Sequence, residues 1–266
     1  MKMTIIGGGN MDNAIAQGLT SGSFFKAGDV TVIDVHEAPL KALQEINPSV
    51  HIALNDYGSV SDADIVILAV KPWLIRDVVA GIQSRLDYAK QMVVSIAARV
   101  SIDQLSEALL KPGDEHPLPA LFVLIPNTAI AVGQSMTLIA TKNASVEQQN
   151  LLLNIFDELG SAVFLDESQL AAGTAIASCG IAYLFRYIRA VTLAGVEMGF
   201  YAKEAQNLAV KTMLGAAALL DATKANPEME IDKVTTPGGI TIKGLNELEA
   251  NGFSDAIIRA VRAARS

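Results

Sequence analysis

The chain has 266 residues, 51% of them hydrophobic and only 5% aromatic, with a formal net charge of −8 and one cysteine. That length can bury a full core and divide into two domains. The acidic balance argues against nucleic acid or an anionic membrane as partner, and a lone cysteine excludes an intrachain disulfide and suits a reducing cytoplasm.

A short apolar strand from Lys2 ends at Gly7-Gly8-Gly9, and a helix is predicted from Asn10 to Leu19. Glycines between a strand and a helix let backbone N–H groups approach a phosphate, where the helix N-terminus adds partial positive charge. Gly7-x-Gly9 fits the first two positions of the dinucleotide fingerprint, but Asp12 takes the third, where Gly or Ala is usual. A carboxylate there is costly beside a pyrophosphate unless its side chain turns outward. No signal peptide is expected, because Gly7 arrives before an apolar core of one could form.

Val30–Asp34 and His51–Leu54 read as strands around a helix over 38–46. Residues 64–70 are apolar after Asp64, as a parallel strand covered on both faces should be, and a helix is predicted over 72–86. A strand at 91–96, a helix to 110 capped by Ser101, and a strand at 121–125 follow. Strand and helix alternate through short links, which predicts a doubly wound parallel sheet. Strands at 137–141 and 162–165 flank a helix over 145–159.

After Asp166 the pattern changes. Residues 168–200 contain no proline and are small or apolar around the whole circumference, which marks a helix buried on all sides. The same helix of a second subunit is the expected cover. Its most apolar part, 170–185, is interrupted by Gly173, Thr174, Ser178 and Gly180 and so falls short of a membrane span. Helices over 203–224, 239–251 and 254–264 complete the chain. The expected domains are 1–163, a dinucleotide-binding α/β unit, and 164–266, an all-helical one.

Asp34 ends the second strand about 20 residues past the glycines, where a carboxylate can accept both ribose hydroxyls of an adenosine and repel a 2′-phosphate. It could also cap the next helix; the spacing favours the ribose role and NADH over NADPH, with His36 and Lys41 close enough to blunt the discrimination. The loops Ala69-Val70-Lys71-Pro72, Ser95 to Ala98 and Pro126 to Thr128 all leave the carboxyl edge of the sheet, where ligands of open α/β sheets bind. Each alone is a tight turn, but three converge on one edge. Thr235-Thr236-Pro237-Gly238-Gly239-Ile240-Thr241 is either an interhelix turn or a helix N-terminus whose free N–H groups cradle a small carboxylate. Cys179 reads as a buried small hydrophobe, and His36, His51 and His116 lack metal-ligand spacing, so no metal is expected.

Together these stretches resemble the pyrroline-5-carboxylate reductase family, nearly end to end. Ile6 to Met11, Ala69 to Pro72, Ser95 to Ala98, Pro126 to Thr128 and Val132-Gly133 occur in the family's order. Val234 to Thr241 is close to its signature before the final helices, and Gly252-Phe253 continues it. The resemblance implies a Rossmann domain followed by an all-helical dimerisation domain, in a homodimer or higher homo-oligomer. It implies that Ile6, Gly7, Gly8, Gly9, Asn10, Met11, Asp34, Asn55, Ala69, Val70, Lys71 and Pro72 line NADH or NADPH, with Ser95 and Ala97 near the nicotinamide. It further implies that Gly238, Gly239, Ile240 and Thr241 hold the substrate carboxylate, and that Thr241 reaches the ring nitrogen as the catalytic residue. The implied reaction is reduction of 1-pyrroline-5-carboxylate to L-proline, the last step of proline biosynthesis.

The chain departs from the family pattern at named places. Arg99 stands where Gly is usual, Ala129 replaces a Pro, and Ala177 to Tyr183 reads Ala-Ser-Cys-Gly-Ile-Ala-Tyr for Ser-Gly-Ser-Gly-Pro-Ala-Tyr. Lys224 falls where many relatives carry Glu. Another small cyclic imine, or a non-catalytic nucleotide-sensing dimer, are the alternatives. A β-hydroxy acid is disfavoured, because the similarly built dehydrogenases use a lysine on the long helix and none lies between Ser168 and Gly199.

Overall fold

A computed structural model describes residues 1–111 and 117–265, so His116 lies outside the described residues. The chain divides into two compact units, Met1–Ser178 and Cys179–Ser266.

The first unit is built on eight strands: β1 (Met3–Ile6), β2 (Val30–Asp34), β3 (His51–Leu54), β4 (Ile65–Leu68), β5 (Met92–Ser95), β6 (Ala120–Ile125), β7 (Ser135–Lys142) and β8 (Gly160–Phe164). Their order in the sheet is β3-β2-β1-β4-β5-β6-β7-β8. The helices α1 (Asn10–Ser21), α2 (Glu37–Ile46), α3 (Ile75–Ile82), α4 (Ile102–Leu109), α5 (Val146–Asp157) and α6 (Glu167–Gly173) belong to the same unit. Alternate strand residues feed the two faces. Ile5, Val32, Ile65, Ile67 and Val94 pack with Ile15, Leu19, Leu40 and Leu43 on one side. Ile6, Ile33, Val66, Leu68 and Val93 pack with Ile75, Val79, Ile82 and Leu105 on the other. Both faces of β1, β4 and β5 are buried, which is why these segments read as continuous apolar runs.

The parallel sheet predicted from the sequence holds from β3 to β6 and then fails. β7 runs antiparallel to β6, and β8 returns parallel to β7. The link from β6 to β7 contains only a 3-10 turn, Thr128–Val132, which is too short for the crossover that a parallel return requires. The predicted helix over 72–86 is also broken, into a 3-10 turn at Pro72–Leu74, α3, and a second 3-10 turn at Gln83–Arg85. Ser101 caps α4 by accepting the Gln104 N–H at 3.0 Å, as expected.

α6 and a π turn at Thr174–Ser178 both lie in the first unit. The second unit contains α7 (Gly180–Glu197), α8 (Ala202–Thr223), α9 (Pro227–Lys233), α10 (Ile240–Ala250) and α11 (Phe253–Ala263). α7 and α8 form a hairpin through Gly199, whose φ of +101° favours glycine. The two helices approach so closely that a Cβ on Gly195 would stand 2.6 Å from that of Ala205. α9 was not predicted, although Asn226 caps it and Pro227 opens it, a recognisable start signal.

Within its own chain α7 is largely uncovered, as a helix expected to be covered by a second subunit can be. α7 buries only Thr192 and Gly195 within the chain, while Leu184, Phe185 and Leu193 are more than half exposed. Periodicity reports that a face is apolar but not which chain covers it. Cys179, expected to be buried, is half-buried within the helical run that leads into α7. The helical run Glu167–Glu197 is long and apolar enough, by length and composition, to cross a membrane, because the polar interruptions are outweighed once the whole run is taken.

Candidate active site

Sheet order reverses at β1, which lies between β2 and β4, so the carboxyl ends of β1 and β4 open a crevice of the type that binds ligands in doubly wound folds. Backbone bonds knit this edge together. Gly7 N–H donates to Ile33 O at 2.8 Å, Ala69 N–H to Ile6 O at 2.8 Å, Asn55 N–H to Asp34 O at 2.9 Å, and Ile96 N–H to Leu68 O at 3.0 Å. The predicted residues Ile6 to Met11, Asp34, Asn55, Ala69 to Pro72, Ser95 and Ala97 therefore lie along one sheet edge.

The glycine turn is shaped for close approach. Gly7 has φ +129°, and a Cβ there would stand 2.4 Å from Ala69 O, so only glycine fits beside the end of β4. Gly9 is the N-cap of α1 and has no side chain of its own to cap the helix start. Chain geometry here fits a pyrophosphate: glycines with no Cβ in the way, at the positive end of a long helix. Asp34 proves not to cap α2, whose N-cap is His36. Its Oδ2 accepts the Gly8 N–H at 2.7 Å and its Oδ1 accepts the His36 N–H at 2.7 Å, which holds the carboxylate at the rim of the turn.

Asp12 does not turn outward. It is 5% exposed, and its Oδ2 accepts the Gly9 N–H at 2.8 Å. Burial pushes its carboxyl up from the usual 3.8 to about 6; the Gly9 N–H opposes that rise, the Asp34 carboxylate adds to it and Lys71 subtracts. The fingerprint position marks the residue but not this direction, because an N3 carboxylate can face either water or its own N-cap.

Further along the edge, Ser95 is fully buried and its Oγ accepts the Ala97 N–H at 3.3 Å. Arg99 sits at φ +63°, a left-handed conformation that glycine adopts most readily. Asn127 is held by two bonds, its Oδ1 accepting the Ala129 N–H at 3.0 Å and its Nδ2 donating to Ala177 O at 3.1 Å. Asn55 has φ +51° and is exposed, as are Lys71 and the neighbouring Trp73.

Gly238 to Thr241 lie in the second unit, at the start of α10. Gly239 N–H donates to Thr236 O at 2.9 Å and Gly238 has φ +69°, so Thr236-Pro237-Gly238-Gly239 is a type II turn with Pro and Gly in their preferred places. A Cβ on Gly239 would stand 2.5 Å from Thr236 Oγ1. Gly239 is the N-cap of α10 and makes no side-chain cap, so the first-turn N–H groups and the exposed Thr241 hydroxyl are open to a ligand. Among the described residues no group of three or more potential metal ligands occurs.

Comparison with known proteins gives this arrangement its context. Residues 2–99 match the family model for F420-dependent NADP oxidoreductases, and residues 167–266 match that for pyrroline-5-carboxylate reductase dimerisation. A pyrroline-5-carboxylate reductase of Synechocystis is 34% identical over 99% of this chain and 96% of its own length. One from Methanosarcina acetivorans is 33% identical over 97% of this chain and 95% of its own. The chain spans about half, 48%, of a Dictyostelium discoideum relative that is 34% identical over 97% of this chain. A Coxiella burnetii pyrroline-5-carboxylate reductase structure superposes with a TM-score of 0.88 at 28% identity, covering 99% of this chain and 95% of that one. A Plasmodium falciparum enzyme solved with NADP bound gives 0.85 at 25% identity, with coverage of 99% and 95%.

Fold and matches define an NAD(P)H-dependent oxidoreductase with a Rossmann domain and a helical dimerisation region. Its closely similar relatives share both halves in the same order. The chain belongs to the pyrroline-5-carboxylate reductase family.

Proposed function

We propose that the protein reduces 1-pyrroline-5-carboxylate to L-proline, with the β1–α1 glycine turn holding the cofactor and the α10 N-terminus holding the substrate carboxylate. The observation that carries this reading is the presence, in one chain, of a glycine-only turn at a sheet switch point and a Pro-Gly-Gly turn opening a helix. A reduced nicotinamide, when bound, supplies a hydride to the imine carbon. The Gly8 and Gly9 N–H groups, held here by Asp34 and Asp12, face the pyrophosphate position, and Ala69 to Pro72 with Asn55 complete the wall. Ser95 and Ala97 are small enough for a flat ring to lie against the backbone. Gly238 and Ile240 present N–H groups to the carboxylate, Gly239 closes the turn through its bond to Thr236 O, and the Thr241 hydroxyl steers the ring nitrogen and its proton.

A protonated imine is already electrophilic, and hydride addition neutralises it, so the main requirement is to orient two planar partners. Asp34 sits where it can accept ribose hydroxyls and repel a 2′-phosphate, which favours NADH. The apolar outer face of α7 fits a second copy of the chain in a homodimer or larger homo-oligomer, in place of a membrane, in a cytoplasmic enzyme without nucleic-acid partners. The domain division at 163/164 places α6 with the dimerisation half. Purified protein supplied with NADH and the imine should oxidise NADH and form proline. Tight NADH binding without turnover would replace this reading with the nucleotide-sensing one, and turnover only of another cyclic imine would change the substrate.

A further inference from the structure

Asp12 is the one ionisable side chain turned into the glycine turn from α1 itself. Its carboxylate holds the Gly9 N–H at 2.8 Å, and a Cβ on Gly7 would also meet its Oδ2, at 2.9 Å. The Gly8 N–H is likewise held, at 2.7 Å, by Asp34. Two N–H groups of a turn suited to phosphate are thus occupied by carboxylates of the same chain. They differ in consequence. Asp34 is half-buried at the rim, where an uncharged ribose can share its oxygens, whereas Asp12 is buried against the N–H that a pyrophosphate oxygen needs.

We propose that Asp12 is a built-in anion that competes with the cofactor pyrophosphate for the Gly9 N–H, so that dinucleotide binding takes up a proton at Asp12. The proposal rests on the cofactor role of the glycine turn given above. The charged groups acting on Asp12 are Asp34 at the end of β2 and Lys71 after β4, while the 3-10 turn Thr128–Val132 packed on α1 carries no titratable residue. An ionised carboxylate beside two phosphate charges is repelled at short range in a partly dry setting. A protonated one is neutral and can donate to a phosphate oxygen. With the carboxyl already raised to about 6, little energy is needed to keep the proton there when the cofactor arrives. The usual Gly or Ala at this position leaves the N–H free, so the exchange belongs to this chain's own sequence and makes cofactor capture sensitive to pH.

The test is titration calorimetry of the full chain with ADP-ribose, which carries the pyrophosphate without the nicotinamide, at pH 5 and pH 7 and in two buffers of different ionisation enthalpy. If only the protonated form binds, affinity should weaken about tenfold from pH 5 to pH 7, and binding at pH 7 should take up close to one proton. Asp12→Asn keeps the oxygen that accepts the Gly9 N–H but cannot ionise, and Asp12→Ala removes it. Both should bind ADP-ribose tightly at pH 7 with no proton uptake and no loss between the two pH values. Equal wild-type affinity at both pH values, or zero proton uptake, overturns the role of Asp12 and leaves the cofactor site standing. Absence of ADP-ribose binding to all three proteins, each shown folded by circular dichroism, removes the cofactor reading of the turn itself.

Discussion

The Gly8 amide donates to Asp34 Oδ2 at 2.7 Å across 26 residues of sequence, tying the end of β2 to the turn after β1. The bond fixes a carboxylate at the rim of the glycine turn, which the proposed function assigns to the adenosine ribose. Asp34→Ala should lower the NADH-to-NADPH ratio of kcat/KM by roughly tenfold, the equivalent of one interaction of ~1.4 kcal/mol. Steady-state rates with the two cofactors check this, and an unchanged ratio would remove Asp34 from cofactor choice. The same variant frees the Gly8 and His36 amides, so its Tm should also fall.

Thr241 is exposed in the first turn of α10, just beyond the type II turn that the Gly239 N–H closes on Thr236 O. Thr241→Ala should reduce kcat/KM for the imine by about a hundredfold while the Kd for NADH stays put. Thr241→Ser should restore most of the rate, because it returns the hydroxyl. A Thr241→Ala enzyme with wild-type kinetics would exclude the residue from the reaction.

The Asp12 carboxyl is raised from 3.8 to about 6 in the folded chain, mainly by burial. A raised folded value means that the stabilising effect of the proton is complete below 3.8 and is lost as pH rises through about 6. At pH 8 the buried charge therefore weighs against folding, by up to about 3 kcal/mol for that displacement. Asp12→Asn should melt above wild type at pH 8, and most of the gap should close at pH 4.5. Melting curves at the two pH values decide it; a gap independent of pH would contradict the burial argument.

Phe185 on α7 is 64% exposed and Leu184 beside it 52%, on a helix that buries only two residues within its own chain. Apolar surface of that kind points to association. Phe185→Asp should shift the sedimentation coefficient towards the monomer, and activity should fall with it. A wild-type protein that already sediments as a monomer at micromolar concentration would refute the idea.

Much of this was legible in the primary structure. Continuous apolar runs at β1, β4 and β5 require strands buried on both faces, and the glycines after β1 require a turn that no Cβ can enter. Local residue type sets these features, because backbone sterics and burial act within a few residues. The same holds for Thr236 to Gly239, where Pro and Gly at the central positions specify the turn type. Tertiary structure alone decided the rest. The direction of β7 depends on what its short link permits and on the edge offered by β6, and strand patterning is the same in either direction. α7 reads as buried although its own chain leaves it uncovered, since periodicity cannot say who covers a face. Asp12 is the sharpest case. Its position in the fingerprint is plain from residue order, but whether its charge faces water or the Gly9 amide depends on how closely β1, β4 and α1 converge around it.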